Sequence, residues 1–224
     1  MKLLKTINRY YCPVCDKNFR NFKTFGLNLR PNAQCPGCGS LERHRLLLIA
    51  LQKLSLLSNQ RRKNLLHIAP EPCLALKLKQ TFEYTSVDLD GARAMMQMDI
   101  MNLQFPDAHF DGIICNHVLE HVSDDRKALS ELYRVLKPKG WASIQVPIDR
   151  DTTDEDHSVV DPSERERRFG QHDHVRSYGL DFQQRLEDVG FSVVVFPKEK
   201  LLNKEMLNKI SAECEEGVWM SFKN

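Results

Sequence analysis

Cys12-Pro-Val-Cys15 and Cys35-Pro-Gly-Cys38 are two C-x-x-C pairs separated by nineteen residues. A C-x-x-C turn lets two thiolates converge on one metal ion, and two such turns at this spacing suit facing β-hairpin knuckles that complete a tetrahedral zinc site. Disulfides are the competing use of such pairs, and they are not expected in a chain without a secretion signal. A redox C-x-x-C is the other, and the second pair at this spacing argues against it. Four thiolates leave no coordination position for water or substrate, so the expected role is structural. Such an ion would hold together a segment of about forty residues with too little core to fold alone. Cys73, Cys115 and Cys214 are scattered and are expected to be small buried hydrophobes.

Two further groups could do chemistry. Asn116-His117 is followed closely by Glu120 and His121, and Phe169–Arg176 reads F-G-Q-H-D-H-V-R. Histidine serves as acid, base or metal ligand near neutral pH. His172 and His174 flank Asp173 and could bind a metal, although neighbours on an irregular loop have no preset geometry. The alternative is a loop ordered against the fold by Phe169 and Tyr178. Glu120 and His121 read equally as core or as surface polar groups.

The elements that must position these residues follow from hydrophobic pattern and punctuation. Phe110–Cys115 is an apolar run suited to a strand buried on both faces. Ser123 is expected to cap the next helix, with Asp124 and Asp125 in its first turn. Ala128, Leu129, Leu132, Val135 and Leu136 make its apolar stripe, and Pro138 and Gly140 stop it. Strand resumes at Trp141–Val146, completing a right-handed βαβ unit. Other expected strands are Leu65–Ala69, Tyr84–Leu89, Met95–Met98, Phe191–Phe196 and Val218–Phe222. Helices are expected from Ser40 through the leucine-rich run to Leu54, from Pro72 to about Gln80, and over Leu180–Val189 with Gly190 as C-terminal cap. Arg43, His44 and Arg45 open the first of these, either solvated or facing a substrate. Alternation of strands and helices predicts a doubly wound α/β sheet. Asp149–Arg176 is expected to be a long polar loop at the ligand-binding edge of that sheet.

The run F-D-G-I-I-C-N-H-V-L-E-H-V-S-D-D-R-K-A-L-S-E-L-Y-R-V-L-K-P-K-G-W-A-S-I-Q-V-P resembles the middle of class I S-adenosylmethionine-dependent methyltransferases, from strand four to strand five. The resemblance extends from about Asn64 to the C-terminus. It implies a seven-stranded Rossmann-like sheet of order 3-2-1-4-5-7-6 with strand seven antiparallel. The expected organisation is a zinc ribbon over residues 1–40, a linking helix and the basic linker Arg61-Arg62-Lys63 within 41–63, and a methyltransferase domain over 64–224. Cofactor-binding candidates are His67, Ala69 and Glu71 in the first loop, Asp88 toward ribose hydroxyls, Asp99 and Ile100 at the adenine, and Asn116. The family's first loop is normally glycine-rich, and here His67–Pro72 contains no glycine, so proline fixes φ where glycine would permit positive values. For Asp88 the alternative role is turn formation, with Asp90 as a second candidate for the ribose. Asp111 matches the family's F-D before strand four and is expected to be structural. His117 and His174 are the catalytic candidates; His117, His174 and Arg176 are the acceptor-binding candidates. "FGQHDHVRSYG" resembles a segment of bacterial zinc-ribbon methyltransferases of undefined substrate. The acceptor pocket is expected to be floored by His117 and roofed by residues 149–176.

Charge is unevenly spread. Residues 1–63 hold thirteen Lys/Arg against two Asp/Glu, a net +11, which leaves −9 for residues 64–224 of a chain with formal charge +2. Such a split suits either a solvated basic surface or an arm for nucleic acid. Three functions are therefore carried forward. The first is a methyltransferase for a polar small-molecule or sugar-like acceptor. The second is an RNA methyltransferase, with Phe19, Phe22 and Phe25 interleaved among basic residues for stacking. The third is a non-catalytic methyltransferase-fold interaction module, suggested by the missing glycines. The N-terminus has no apolar stretch suited to a signal peptide and no segment suits a membrane span, so a cytoplasmic protein with no membrane partner is expected.

Overall fold

The computed structural model describes residues 9–26, 28–57, 63–212 and 217–224. Residues 1–8, the Arg61-Arg62 part of the linker and Cys214 lie outside the described residues. Two compact units are present: residues 1–61 with 71–81 and 195–218, and residues 62–70 with 82–194 and 219–224. Segments 71–81 and 195–218 thus group with the cysteine-bearing unit. No helix among the described residues is long and apolar enough to cross a membrane.

In the first unit, β1 (Tyr10–Cys12) pairs with β2 (Lys17–Phe19), and β3 (Lys23–Phe25) with β4 (Arg30–Gln34), as two antiparallel hairpins. α1 (Glu42–Lys53) follows and buries Leu46, Leu47, Leu48, Ala50 and Leu51. Its cap is Leu41 rather than Ser40: His44 Nδ1 accepts the Leu41 N–H at 3.0 Å. Arg45 is fully buried. Its guanidinium donates to the carbonyls of Ala33, Ser40, Ile210 and Ser211 and lies 4.6 Å from the centre of the Phe22 ring. It is therefore neither solvated nor available to an acceptor. α2 (Pro72–Lys79) belongs to the same unit and starts with proline in its first turn, where the missing N–H has no intrahelical partner to lose.

The second unit carries the sheet apart from residues 195–197 and 217–218, which group with the first unit. The sheet's strands are β5 (Asn64–Ile68), β6 (Glu83–Asp88), β7 (Met96–Gln97), β8 (Phe110–Asn116), β9 (Leu136–Gln145), β13 (Ser192–Pro197) and β14 (Gly217–Phe222), where β10 to β12 form a separate small sheet described below. The order is β13-β14-β9-β8-β5-β6-β7. Neighbours from β7 through β9 are parallel and β14 is antiparallel to β9, the order that the family resemblance implies. Leu65, Leu66, Ile113, Ile114 and Cys115 are fully buried, which is why β5 and β8 read as unbroken apolar runs. α3 (Asp125–Val135) buries Ala128, Leu129, Leu132 and Val135, the expected stripe. Its cap is Asp124, which accepts the Lys127 N–H, and not Ser123. Asp111 accepts the Asn64 N–H at 2.9 Å and the Lys137 ammonium at 2.8 Å, tying the starts of neighbouring strands together.

Residues 149–176 are not a structureless loop. β10 (Ile148–Arg150), β11 (Asp154–Glu155) and β12 (Arg176–Gly179) make a three-stranded sheet, and α4 (Pro162–Phe169) stands between β11 and β12. The signals for α4 were local. Asp161 accepts the Glu164 N–H as N-cap, Pro162 opens the first turn, and Gly170 closes the helix at φ 90°. α5 (Phe182–Val189) ends at Gly190 with φ 112°.

One ion network fixes β12. Arg176, fully buried, donates to the carbonyls of Leu119, Val122 and Ser123 and to Glu155 at 2.7 Å. Arg185 bridges Glu155 at 2.9 Å and Asp125 at 2.8 Å, and Asp125 accepts the Tyr178 hydroxyl at 2.8 Å. Burial pushes the Glu155 carboxyl up, but hydrogen bonds from Arg176 and Arg185 outweigh it and hold it below the ordinary glutamate value. A depressed folded value stabilises the protein above the unfolded pKa of about 4.3, and that stability is lost as pH falls through the folded value. Urea denaturation between about pH 3 and pH 6 should therefore show a steeper acid loss in wild type than in Glu155→Gln. Equal slopes for the two proteins would remove this group from the acid limb.

Candidate functional site

The C-terminal ends of β5, β6, β7 and β8 converge on one cleft of about 490 Å³. Open parallel sheets bind ligands at this edge because adjacent crossovers leave a crevice there. Ile68, Leu89, Met98, Ile100, Met101, Val118 and Val122 supply apolar walls. The polar lining is Asp88, Asp99 and Asp173, the Arg93 guanidinium, His117, His121 and Ser123. Arg93 is itself paired with Asp90 at 3.4 Å, so carboxylates dominate the cleft.

Of the expected cofactor residues, Ala69, Asp88, Asp99 and Ile100 line this cleft. Asp88 Oδ1 accepts the Asp90 N–H at 2.9 Å and Asp99 Oδ1 accepts the Met101 N–H at 2.8 Å. Each carboxylate thus spends one oxygen on its own turn, and the other has no hydrogen-bond partner among the described residues. Arg134 holds the following loop, donating to the carbonyls of Leu103 and Phe105, while Glu131 accepts the Leu103 N–H. The remaining three lie elsewhere. His67 is fully buried, with Nδ1 2.9 Å from the Tyr84 hydroxyl. Glu71 sits in the first unit, 3.4 Å from His44 Nε2. Asn116 is buried at the end of β8 and is not among the lining residues.

The glycine-free loop keeps the backbone that glycine would provide. Ala69 adopts φ 45°, in the left-handed region, and its N–H donates to the Val87 carbonyl at 2.8 Å. His117 does the same at the end of β8, with φ 52° and its N–H bonded to the Gln145 carbonyl. Both line the cleft, where strained backbone held by flanking strands is often found.

The acceptor-side expectations divide. His117 lines the cleft, with Nδ1 3.3 Å from Glu120 Oε1. Arg176 does not face it, because its guanidinium is consumed by three carbonyls and Glu155. His174 is buried, its Nδ1 2.9 Å from the Phe169 carbonyl, and its ring meets His121 edge-on at 4.7 Å. From the 149–176 stretch it is Asp173 that reaches the cleft, and its Oδ2 lies 3.2 Å from His121 Nδ1. Arg93 and Ser123 were not foreseen as lining residues, since their places depend on how the loops fold back.

In the first unit the sulfurs of Cys12, Cys15, Cys35 and Cys38 all lie within 4.8 Å of one another. Cys12 Sγ is 3.6 Å from Cys38 Sγ, and Cys15 Sγ is 3.7 Å from Cys35 Sγ. The Ser40 hydroxyl stands 3.2 Å from Cys12 Sγ and 3.3 Å from Cys38 Sγ, which explains why it does not cap α1. A hydrogen bond with Cys38 pulls the Cys12 thiol down, the same contact pushes Cys38 up, and burial pushes Cys15 up. Of the three aromatics set among basic residues, Phe22 is buried against Tyr10 and Phe19, Phe19 is half-buried, and Phe25 is exposed.

Comparison with known proteins agrees with this architecture. Residues 58–144 match the family model of a methyltransferase domain. An uncharacterized methyltransferase of Mycobacterium tuberculosis is 33% identical over 85 residues, 32% of this chain and 43% of that protein. The chain spans less than half the length of the curated relatives it matches. A SAM-dependent methyltransferase from Archaeoglobus fulgidus superposes with a TM-score of 0.52 at 17% identity, covering 82% of this chain and 95% of that one. The 1,6-didemethyltoxoflavin-N1-methyltransferase of Burkholderia thailandensis, solved with 1,6-didemethyltoxoflavin and S-adenosylhomocysteine, gives 0.52 at 18% identity over 79% and 76% of the two chains. At these identities the likeness is one of fold.

The left-handed backbone at residue 69 generates a stability prediction. Alanine there costs about 1 kcal/mol relative to glycine in the folded state, and glycine costs about as much in unfolded-chain entropy. Ala69→Gly should therefore leave the unfolding free energy within about 1 kcal/mol of wild type, whereas Ala69→Val, branched at Cβ, should lose more than that. Chemical denaturation of the three proteins checks the order, and a valine variant as stable as wild type would contradict it.

Proposed function

Because residues 58–144 match the family model of a methyltransferase domain, we propose that this protein is an S-adenosylmethionine-dependent methyltransferase acting on a small polar acceptor. The observation that carries the reading is the pair of carboxylates at the ends of successive strands, Asp88 and Asp99, each with an oxygen left for a ligand in a partly apolar cleft. Ribose hydroxyls suit Asp88, an exocyclic adenine amine suits Asp99, and Ile100 suits the face of the ring. The carboxylate-rich lining also favours a cationic sulfonium. Bound there, the cofactor supplies an electrophilic methyl group.

The chain's own residues then have limited work to do. They must align an acceptor, exclude water and take a proton when the nucleophile carries one. His117 is the group for the last task, held by Glu120 at the lip of the cleft. Ala69 brings backbone close to the ligand, and His67, 2.9 Å from the Tyr84 hydroxyl, ties β5 to β6 behind it. A small acceptor is favoured over RNA because, of the three aromatics proposed for stacking, Phe22 is buried and Phe19 half-buried, which leaves Phe25 alone exposed. The interaction-module reading loses its main argument, since Ala69 retains the positive φ that the missing glycine would have given.

The four cysteines are read as a structural zinc site. Four zinc–sulfur bonds of about 2.3 Å in a tetrahedron separate the sulfurs by roughly 3.8 Å, close to the 3.6 and 3.7 Å found. Reduced thiolates of this kind go with a cytoplasmic setting.

Two measurements test these assignments. In calorimetry with S-adenosylhomocysteine, Asp88→Ala and Asp99→Ala should each weaken binding by about 1–3 kcal/mol, the loss of a charge-assisted hydrogen bond. Folded variants that bind as tightly as wild type would remove both residues from the cofactor site. In elemental analysis, Cys35→Ser should lower the zinc content by about one equivalent per chain. Zinc content that stays at the wild-type level would refute the zinc assignment.

A further inference from the structure

We propose a second metal site in this chain, for a divalent first-row transition ion, formed by Glu120, His121 and His174 beside the cleft. One ligand atom from each of the three lies within 4.8 Å of the other two. Two imidazoles and one carboxylate are the donor set of open zinc and non-haem iron sites, and they disfavour calcium and magnesium, which take oxygen ligands.

The burial pattern points to an ion rather than to a chance cluster. Glu120 is 2% exposed and His174 5% exposed, and Glu120 Oε2 and His174 Nε2 are buried without a hydrogen-bond partner among the described residues. Two such orphaned atoms on residues of one cluster are costly unless something bridges them.

The atoms on the far side of each ligand are all engaged. His174 Nδ1 lies 2.9 Å from the Phe169 carbonyl, which can only accept, so Nδ1 carries the proton and Nε2 presents its lone pair. His121 Nδ1 lies 3.2 Å from Asp173 Oδ2, the carboxylate–histidine arrangement that fixes tautomer and ring orientation at metal sites. Glu120 Oε1 lies 3.3 Å from His117 Nδ1, leaving Oε2 as the ligand atom. The supporting backbone is stapled: the Val175 N–H donates to the Glu120 carbonyl at 2.9 Å, and Arg176 holds Leu119, Val122 and Ser123. Ligands from positions 120–121 and 174 are thus held in one place although they are distant in sequence.

Three protein ligands leave coordination positions open. His117, His121 and Asp173 all line the cleft, so the open side faces it. Resting on the methyltransferase reading, the ion's place there is to hold an oxygen of the acceptor, such as a hydroxyl, enol or carboxylate, beside His117. The acceptor class is then an oxygen chelator rather than an amine.

The test uses full-length protein whose cysteine site is already filled with zinc, titrated with Co²⁺ and followed by its visible absorption. Wild type should take up one further equivalent, with ligand-field bands and no sulfur-to-cobalt charge transfer. Glu120→Gln and His174→Ala should weaken that uptake about tenfold or more while leaving the zinc content of the cysteine site unchanged. Circular dichroism monitors folding, and if either buried variant unfolds, His121→Ala at its half-exposed position carries the same expectation. No second equivalent in wild type, or a second equivalent of unchanged affinity in the folded ligand variants, overturns the site. Because cobalt uptake is read without cofactor or acceptor, failure of S-adenosylhomocysteine to bind would sink the methyltransferase reading while leaving the metal result intact.

Discussion

The buried guanidinium of Arg176 is the interaction on which the functional edge of the second unit depends. The turn after β8 presents three carbonyls, at Leu119, Val122 and Ser123, of which Leu119 also accepts the Val122 N–H, and Arg176 donates to all three. A cation in that position is tolerable only with a counter-charge, and Glu155 supplies it, with Asp125 and Arg185 extending the network. Lysine could not replace it, because only the planar five-donor fork reaches several acceptors at once. His117, Glu120 and His121 stand on or next to this turn, so the geometry of the cleft's polar lip is set by a residue that never reaches it. Arg45 plays the same part in the first unit, gathering four carbonyls around one buried guanidinium.

The cleft itself combines three physical features. Its carboxylates outnumber its cations, its walls are apolar, and two of its backbone positions, Ala69 and His117, are held at positive φ. The strain is borne by the hydrogen bonds that continue the β5 and β8 ladders through these residues. A cationic, partly aromatic ligand meets each feature with a matching property. The absence of glycine from the first loop thus changes the cost of the conformation and not the conformation.

The two metal-capable clusters differ in the way their chemistry demands. Four thiolates form a closed set suited to holding hairpins together, in a unit whose β-strands are three to five residues long and bury few side chains. Two histidines and a glutamate form an open set, each backed on its far atom by a polar group within 3.3 Å, with His121 at the cleft. The first kind stabilises a fold and the second kind is suited to hold a ligand.

From the sequence alone, the sheet order, the apolar strands β5 and β8, the stripe of α3 and the convergence of the four cysteines could be read. These depend on local periodicity, on fixed C-x-x-C geometry and on a resemblance carried by one contiguous run. Asp88 and Asp99 were legible because strand ends in a parallel sheet face one edge. The caps at Leu41 and Asp124, the small sheet of β10 to β12, the inward turn of Arg45 and Arg176, and the meeting of Glu120 and His121 with His174 were decided only by tertiary structure. Arg176 illustrates why: its carbonyl partners lie more than fifty residues earlier in the chain. A charged side chain in a polar segment reads as solvated until the fold brings orphaned acceptors around it, because what a buried guanidinium or imidazole does is set by the atoms that surround it rather than by its neighbours in sequence.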